Sequence, residues 1–334
     1  MPKGVILSHR NVLANCAQIK GTELIPHGET LLGNLPVFHS FGFTVSLWFC
    51  LIEGVRLVTV PSPLDVRGNL KAIREQGVTA LLGTPTFLRP YLRRAKEGDL
   101  DSIKFVIAGA EKTPDGFAEK WEKEADCVYL EGYGLTETSP VVSCNPIHNI
   151  KVETVGPPFK GNQVKIAEDG EILVKGENVM LGYWNKKEET EKIIIDGWLH
   201  TGDIGEINPE DGYLKITDRK KDIIVSAGGD NISPAKIENM ITNAAEIDQC
   251  MVYGDKKNYL VALIVPNKEF LNNNEIINNI IEIINKKLTL VEKIKKIQLI
   301  DENFSIENGL LTPTMKVKRK KVTEKYKNKL EKLY

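Results

Sequence analysis

Short apolar runs alternate with amphipathic stretches over the first part of the chain. The apolar runs have the length of strands buried on both faces, and the stretches between them repeat apolar residues at helical spacing. This order predicts a parallel sheet covered by helices, with ligands at the carboxyl ends of its strands. The predicted strands are 31–35, 56–60, 79–82 and 105–108, and the predicted helices are 11–19, 66–75, 87–96 and 115–123.

The pattern changes after Pro140, where short strand-like runs are separated by turns such as Glu168-Asp169-Gly170. Short strands with glycine turns are typical of a small β-barrel or sheet subdomain. The predicted strands there are 163–167, 171–174, 205–207 and 213–217. The charged run 218–222 marks a boundary to an α+β domain of about a hundred residues, an ordinary domain size. We therefore predict an α/β protein with domains at 1–148, 149–218 and 219–334.

In the last domain, Ser233-Pro234 predicts a helix start, because serine caps helices and proline favours their first position. The Asn/Ile/Lys-rich segment 272–297 keeps helical periodicity. The predicted strands are 223–226, 251–253 and 259–265, and the further helices are 274–288 and 317–330.

Composition excludes several classes of protein. With 42% hydrophobic and 27% charged residues, the 334-residue chain is typical of a soluble globular protein. A net charge of -1 gives no overall attraction to nucleic acid. The lysine-rich end, 316–332, is either a solvated helix face or a surface for phosphates or an acidic partner.

The cysteines and apolar runs add three further expectations. The five cysteines form no C-x-x-C pair or zinc spacing, which favours a reduced, cytoplasmic setting without a zinc site. The start Met-Pro-Lys-Gly-Val has no apolar core of a signal peptide. The longest apolar stretch, 41–52, is too short to span a bilayer, although peripheral membrane contact stays open.

The strongest chemical signal is Tyr133-Gly134-Leu135-Thr136-Glu137-Thr138, which follows a predicted strand. Glycine beside a strand end lets the backbone approach a ligand closely. A threonine hydroxyl and a carboxylate at such a turn can hold a phosphate and its Mg²⁺. An ordinary turn is the alternative interpretation of this segment alone.

Further motifs follow in a fixed order along the chain. They are Thr201-Gly202-Asp203, Asp218-Arg219-Lys220-Lys221-Asp222, Ser226-Ala227-Gly228-Gly229-Asp230 and Leu311-Thr312-Pro313-Thr314-Met315-Lys316. With the first motif, they resemble the adenylate-forming superfamily of acyl-CoA synthetases, luciferases and peptide-synthetase adenylation domains. The resemblance implies a partial AMP-binding α/β subdomain, a β-barrel subdomain and a C-terminal lid. It also implies activation of a carboxylic acid by ATP, followed by transfer of the acyl group to a thiol.

The resemblance also implies roles for individual residues. Thr136, Glu137 and Lys316 should be catalytic, with Thr136 bonding the α-phosphate and Glu137 binding Mg²⁺. The lid should rotate about Lys221, carrying Lys316 away and bringing Gly228 beside the pantetheine channel. The residues expected around ATP or AMP are Gly109, Ala110, Glu111, Glu131, Gly132, Tyr133, Gly134, Thr136, Asp203, Ile216, Arg219 and Lys316. In this set Tyr133 faces the adenine opposite Gly109-Ala110-Glu111, and Asp203 and Arg219 reach the ribose.

The acyl pocket should lie near His39 and Phe41 and run under Gly134. Amino-acid activators carry an aspartate where this chain has His39, so a simple carboxylic acid is expected. A core or helix-capping role is the alternative for this histidine. Several stretches are most similar to long-chain acyl-CoA and acyl-acyl-carrier-protein synthetases.

The segment Met1-Pro2-Lys3-Gly4 resembles the end of the family's phosphate loop, so we expect an N-terminally truncated chain. The principal hypothesis is a fatty acid–thiol ligase that uses CoA or the phosphopantetheine of acyl carrier protein. The alternative is a non-catalytic fragment, or one half of a split ligase whose other half is a missing N-terminal partner. An aryl or short-chain acid ligase keeps the chemistry and changes the pocket.

Overall fold

A computed structural model describes residues 3–271, 273–312 and 315–334. The chain divides into two compact units, Met1–Thr217 and Asp218–Tyr334. The predicted α/β fold class is confirmed by a parallel sheet in the first unit and an α+β arrangement in the second.

The first unit is built on a six-stranded sheet with a smaller β subdomain beside it. Its strands are β1 (Val5–Ile6), β2 (Thr30–Gly33), β3 (Arg56–Thr59), β4 (Ala80–Gly83), β5 (Phe105–Ala108), β6 (Val128–Gly134), β7 (Val141–Cys144), β8 (Gln163–Ile166), β9 (Glu171–Lys175), β10 (Gly182–Tyr183), β11 (Ile194–Ile195), β12 (Trp198–Ile207) and β13 (Leu214–Arg219). Its α-helices are α1 (His9–Lys20), α2 (Cys50–Glu53), α3 (Val66–Gln76), α4 (Pro85–Arg94), α5 (Phe117–Ala125) and α6 (Lys187–Glu191), and a π-helix covers Gly42–Phe49.

The main sheet has the strand order β3-β2-β4-β5-β6-β7, and only β7 runs against its neighbour. Helices α3, α4 and α5 bury apolar residues against it, with Ile73, Tyr91 and Trp121 almost fully buried. The ends of α3 follow its sequence, because Asp65 caps its first turn and Gly77 ends it at a φ of +61°. Because β4, β5 and β6 run in parallel, their carboxyl ends lie at the same edge of the sheet.

The smaller β subdomain has the strand order β11-β12-β9-β8, with β13 also paired to β12. Its apolar side chains join those of β6 and β7 in one cluster centred on Tyr133, Val142, Ile172, Val174 and Leu214. This cluster packs β9 and β13 against β6 and β7. Short strands β1 and β10 form a separate antiparallel pair, with Val5 opposite Tyr183.

The second unit is a three-stranded sheet with helices on both faces. Its elements are β14 (Ile224–Val225), β15 (Asn231–Ile232), α7 (Pro234–Thr242), β16 (Ile247–Tyr253), β17 (Leu260–Pro266), α8 (Asn274–Asn285), β18 (Ile294–Leu299) and α9 (Arg319–Glu331). Alternate residues of the central strand β17 point to opposite faces, as the period of two requires. Leu260, Ala262 and Ile264 join one apolar cluster with α7 and α8, whereas Val261 and Leu263 join another with α9.

One local prediction differs from the structure. The helical periodicity assigned to 272–297 ends with α8, and the last part of that segment belongs to β18, which pairs in parallel with β17. The apolar stretch after Phe41 forms the π-helix Gly42–Phe49. None of the described helices combines the length and apolarity needed to cross a bilayer. All five cysteines are buried.

Candidate functional site

The predicted phosphate motif lies where β6 ends at the edge of the main sheet. A short 3-10 turn, Thr136–Thr138, follows the strand directly. At Gly134, an added Cβ atom would lie 2.2 Å from the carbonyl oxygen of Pro140. No side chain fits at that distance, so glycine is needed for the chain to reverse here.

Two asparagines hold the segment that follows this turn. Asn178 is fully buried and donates its side-chain amide to the carbonyl oxygens of Thr138 and Val141, at 2.9 and 3.2 Å. Asn15 of α1 exchanges two hydrogen bonds with the backbone of Val141, at 2.7 and 3.0 Å. Ser139 donates to the carbonyl oxygen of Asn178 at 2.8 Å. The turn is therefore fixed from both sides by buried hydrogen bonds, which are costly to lose.

The two catalytic candidates of this turn have partners from distant segments. The Ser40 hydroxyl lies 3.3 Å from the Thr136 hydroxyl and donates to it. Tyr183 donates its phenol hydroxyl to a carboxylate oxygen of Glu137 at 2.7 Å. The ammonium group of Lys3 lies 4.4 Å from the centre of the Tyr183 ring and pairs with Glu189 at 2.9 Å. A residue near the start of the chain therefore contacts Tyr183, the hydrogen-bond partner of the predicted Mg²⁺ ligand.

Tyr133 and Asp203 form the second part of the site. The Tyr133 hydroxyl donates to a carboxylate oxygen of Asp203 at 2.7 Å, and both side chains are buried. Ile216 packs against the same apolar cluster as Tyr133. The structure thus brings together three residues from separate segments of the chain that were predicted to bind the nucleotide.

The predicted adenine wall, Gly109-Ala110-Glu111, follows β5 at the same edge of the sheet. A Cβ atom at Gly109 would lie 3.3 Å from the carbonyl oxygen of Gly132 and 3.9 Å from the Phe41 ring. Ala110 has a φ of +65°, a conformation that side chains rarely adopt and that clusters at functional sites. The close approach links the wall both to β6 and to the predicted acyl pocket.

The carboxyl groups of Glu111, in this wall, and of Glu131, on β6, each accept hydrogen bonds from a threonine. A Glu111 carboxylate oxygen accepts hydrogen bonds from the hydroxyl and the backbone N–H of Thr86, at 2.7 and 3.2 Å. Burial raises the pKa of the Glu131 carboxyl, although hydrogen bonds from Thr113 oppose the shift. Cys144 lies behind Gly132, with its sulfur 3.3 Å from the position of a Cβ atom there.

The acyl-pocket candidates lie at the start of the π-helix. The ring nitrogen Nδ1 of His39 accepts from the backbone N–H of Phe41 at 3.3 Å. Gly42 is the first residue of the π-helix. Only glycine fits there, because a Cβ atom would lie 2.4 Å from the carbonyl oxygen of Pro36. His39 therefore contacts the backbone just before the π-helix, and π-helical turns are frequent at functional sites.

Site candidates in the second unit lie in two loops and at one strand end. Arg219 is the last residue of β13, a strand that begins in the first unit and ends in the second. The exposed Lys221 follows it in a turn closed by a 2.8 Å hydrogen bond from Asp222 N–H to the Arg219 carbonyl. Gly228 donates its N–H to the Ser226 hydroxyl at 3.1 Å in the loop between β14 and β15.

Lys316 lies in the loop before α9. Its backbone N–H donates to the Thr312 hydroxyl at 3.0 Å, and the Thr312 N–H donates to the Lys316 carbonyl at 2.8 Å. Pro313 and Thr314 of the same motif lie outside the described residues. The flanking backbone bridge between Leu311 and Val317 closes this loop.

A metal site made by the protein alone is absent from the described residues, which contain no group of three or more His, Cys, Asp or Glu side chains suited to an ion. Mg²⁺ commonly uses one or two carboxylates together with substrate phosphates. The single carboxylate of Glu137, fixed by Tyr183 beside Thr136, fits that donor set.

Comparison with known proteins identifies the family. Residues 1–184 match the AMP-binding enzyme family, and residues 221–334 match the AMP-binding enzyme C-terminal domain. The chain belongs to the AMP-binding enzyme family. The resemblance to adenylate-forming enzymes that its motifs predict is therefore confirmed.

Curated relatives of this AMP-binding enzyme chain are long-chain-fatty-acid–CoA ligases. The protein from Salmonella typhimurium is 36% identical over 269 residues, which cover 75% of this chain and 47% of the relative. The Bacillus subtilis protein is 36% identical over 274 residues, which cover 77% of this chain and 48% of the relative. The chain thus spans about half the length of these relatives.

Solved structures of AMP-binding enzymes share the fold. ATP-bound MatB from Rhodopseudomonas palustris has a TM-score of 0.83 and 26% identity, and the match covers 97% of this chain and 65% of that one. The o-succinylbenzoate coenzyme A synthetase MenE from Bacillus subtilis, in complex with ATP and a magnesium ion, has a TM-score of 0.80 and 26% identity. That match covers 96% of this chain and 66% of MenE.

Proposed function

We propose that this chain carries nucleotide- and acid-activating residues of a long-chain fatty acid–CoA ligase. The observation that carries the proposal is the arrangement around β6. One strand and its turn supply Tyr133, Thr136 and Glu137, and hydrogen bonds of 2.7 Å tie two of these residues to Asp203 and Tyr183. An ordinary turn would not require hydrogen bonds that hold the carboxylates of Asp203 and Glu137.

In the first half-reaction, a carboxylate oxygen of the acid forms a bond to the α-phosphorus of ATP. The bond from that phosphorus to the bridging oxygen of pyrophosphate breaks. Such a transfer depends on positioning and charge stabilisation rather than on a protein nucleophile. The Thr136 hydroxyl would donate to an α-phosphate oxygen, and Lys316 would contribute positive charge.

Bound Mg²⁺ supplies positive charge to the phosphate oxygens, and Glu137 would hold it. Asp203 would accept hydrogen bonds from the ribose hydroxyls, for which a carboxylate offers several acceptor sites. Arg219 would also reach the ribose. Gly109, Ala110 and Glu111 would face Tyr133 across the adenine, with Glu131, Gly132 and Ile216 nearby.

In the second half-reaction, the thiol of CoA loses its proton to solvent and its sulfur forms a bond to the acyl carbon. The bond from that carbon to the phosphate oxygen breaks, and AMP leaves with this oxygen. A rotation about Lys221 would remove Lys316 and bring the Gly228 loop to the thiol, a hinge-type change. CoA is favoured over acyl carrier protein because the relatives are named as CoA ligases. The same names favour a long-chain acid, for which Phe41, Gly134 and the π-helix would form the pocket near His39.

The test is ATP–pyrophosphate exchange by the chain as it stands, with Mg²⁺ and palmitate, and with acetate and benzoate as alternative acids. Lys316→Ala is expected to abolish the exchange, and Lys327→Ala, at an exposed position of α9, should leave it intact. Exchange that requires palmitate and Lys316 would support the proposal. A folded protein without exchange would overturn stand-alone activity and leave a fragment that needs other residues for its chemistry.

A further inference from the structure

The strand that carries Asp203 is irregular at that residue. His200 of β12 lies opposite Leu173 of β9, and the next paired residue, Ile204, lies opposite Glu171. From one pair to the next the chain advances four residues on β12, from 200 to 204, but only two on β9, from 173 to 171. Two extra residues are therefore accommodated in β12. Bulges of this kind redirect side chains and are frequent beside active sites.

The bulge is held by side chains of both strands. A Glu171 carboxylate oxygen accepts the backbone N–H of Gly202 at 2.8 Å, and Gly202 has a φ of +74°. The Thr201 hydroxyl donates to the carbonyl oxygen of Ile172 at 2.7 Å and accepts the N–H of Asp203 at 3.1 Å. These bonds replace the ladder bonds that a regular strand pair would make.

Glu171 is an unusual residue for an inward position, because it is only 6% exposed. A buried carboxylate is costly unless hydrogen bonds compensate for its lost hydration. Its second oxygen lies 3.1 Å from Nδ1 of His200, and Nδ1 carries the hydrogen because a carboxylate only accepts. Both oxygens of Glu171 are therefore hydrogen-bonded, one to His200 just before the bulge and the other to Gly202 within it.

The bulge sets the position of Asp203 along β12 relative to β9. Two residues are added between the pairs at His200 and Ile204, so Asp203 lies further along the strand pair than a regular register would place it. Buried and less buried positions still alternate through the bulge, which keeps Asp203 on the buried face with Leu199 and Thr201. On that face its carboxylate accepts the hydrogen bond of the Tyr133 hydroxyl.

We propose that Glu171 is a positioning residue, which builds the bulge that presents Asp203 to the ribose hydroxyls of the nucleotide. The inference rests on the proposed function only for the ribose role of Asp203. Glu171 itself acts through Gly202 and His200 and touches no reacting atom. Through the position of Asp203, Glu171 would affect how the site distinguishes a ribose from a sugar that lacks the two hydroxyls.

The test compares AMP with 2′,3′-dideoxy-AMP by titration calorimetry. Glu171→Ala should weaken AMP binding about tenfold, as expected when a hydrogen bond to a charged group is lost, and should change dideoxy-AMP binding less than about twofold. Glu171→Gln keeps an acceptor for the Gly202 N–H and should recover most of the affinity. Glu210→Ala, in an exposed turn, serves as the control. An equal loss for both nucleotides, or no loss, would overturn the inference.

A second measurement requires no nucleotide. Hydrogen exchange of the Gly202 amide should accelerate at least tenfold in Glu171→Ala and remain near wild type in Glu171→Gln, while the Val174 amide of β9 stays protected. Unchanged Gly202 exchange would contradict the inference whatever the nucleotide results. A wild-type protein that binds both nucleotides equally would instead overturn the ribose role of Asp203, whereas faster Gly202 exchange would still support Glu171 as the builder of the bulge.

Discussion

Tyr183 donates a hydrogen bond of 2.7 Å to the carboxylate of Glu137, which joins two residues 46 positions apart. The backbone of Tyr183 is fixed by pairing with Val5 in β1, and its ring lies against Lys3. The predicted Mg²⁺ ligand is therefore oriented by a strand pair to which the start of the chain contributes.

Removal of this hydroxyl should weaken the use of Mg²⁺ without unfolding the protein. In Tyr183→Phe the ring remains, but Glu137 loses a charge-assisted hydrogen bond worth about 1.5–3 kcal/mol. We expect the Mg²⁺ concentration for half-maximal ATP–pyrophosphate exchange to rise about tenfold. Tyr213→Phe is the matched control, because the buried Tyr213 hydroxyl donates to the Asn149 carbonyl instead. An unchanged Mg²⁺ dependence would contradict the role of Tyr183.

Gly134→Ala should destabilise the first unit and abolish nucleotide binding. The added methyl group would lie 2.2 Å from the Pro140 oxygen, so β6 and the following segment must separate. We expect a loss of at least about 2 kcal/mol in the free energy of unfolding, measured in urea. Gly21→Ala is the control, because its Cβ atom would lie 3.5 Å from its nearest neighbours. Equal stability of the two variants would refute the close approach.

Asn178→Ala should loosen the turn that carries Thr136 and Glu137. The substitution removes the side-chain donor of the Thr138 carbonyl oxygen and leaves the Val141 oxygen with Asn15 alone, at a cost of about 1–3 kcal/mol. Thermal unfolding should show a lowered midpoint, and AMP should bind more weakly. Asn149→Ala, at an exposed site, should leave both quantities unchanged.

Glu131 should make the stability of the first unit dependent on pH. Burial raises the pKa of its carboxyl in the folded protein above the ordinary value of about 4.3. The stability linked to its uncharged form is complete below the unfolded pKa and is lost as pH rises through the folded pKa. Glu131→Gln copies the uncharged acid at every pH.

The stability advantage of Glu131→Gln over the wild type should therefore be larger at pH 7 than at about pH 4. Urea unfolding midpoints of the two proteins at both pH values measure this difference. A difference that shrinks as pH rises would show that charging Glu131 stabilises the fold.

The main sheet could be predicted because each strand and helix has its own periodic signal. The predicted strands at 56–60 and 105–108 correspond closely to β3 and β5, and the predicted helix at 66–75 to α3. Strand β18 was missed because Lys295 and Lys296 interrupt its apolar pattern, and its pairing with β17 is a tertiary property.

The motif residues proposed for the site are predicted from local sequence, whereas their supporting partners could not be. These partners reach the site from distant parts of the sequence, and no local spacing distinguishes them from other polar residues. They are Ser40, Asn178, Tyr183 and Glu171. The π-helical turn was missed for the same reason, since Gly42 must fit against the Pro36 carbonyl.

Segments around residues 40, 136, 183 and 203 meet at this site, so it has high contact order. Loops between such segments must close before any of the contacts form, and long-range closure is slow. Binding of the proposed nucleotide and completion of the fold should consequently be coupled in the first unit. A ligand that binds only the assembled site raises the apparent stability by mass action, so a thermal-shift screen reports directly on this chemistry.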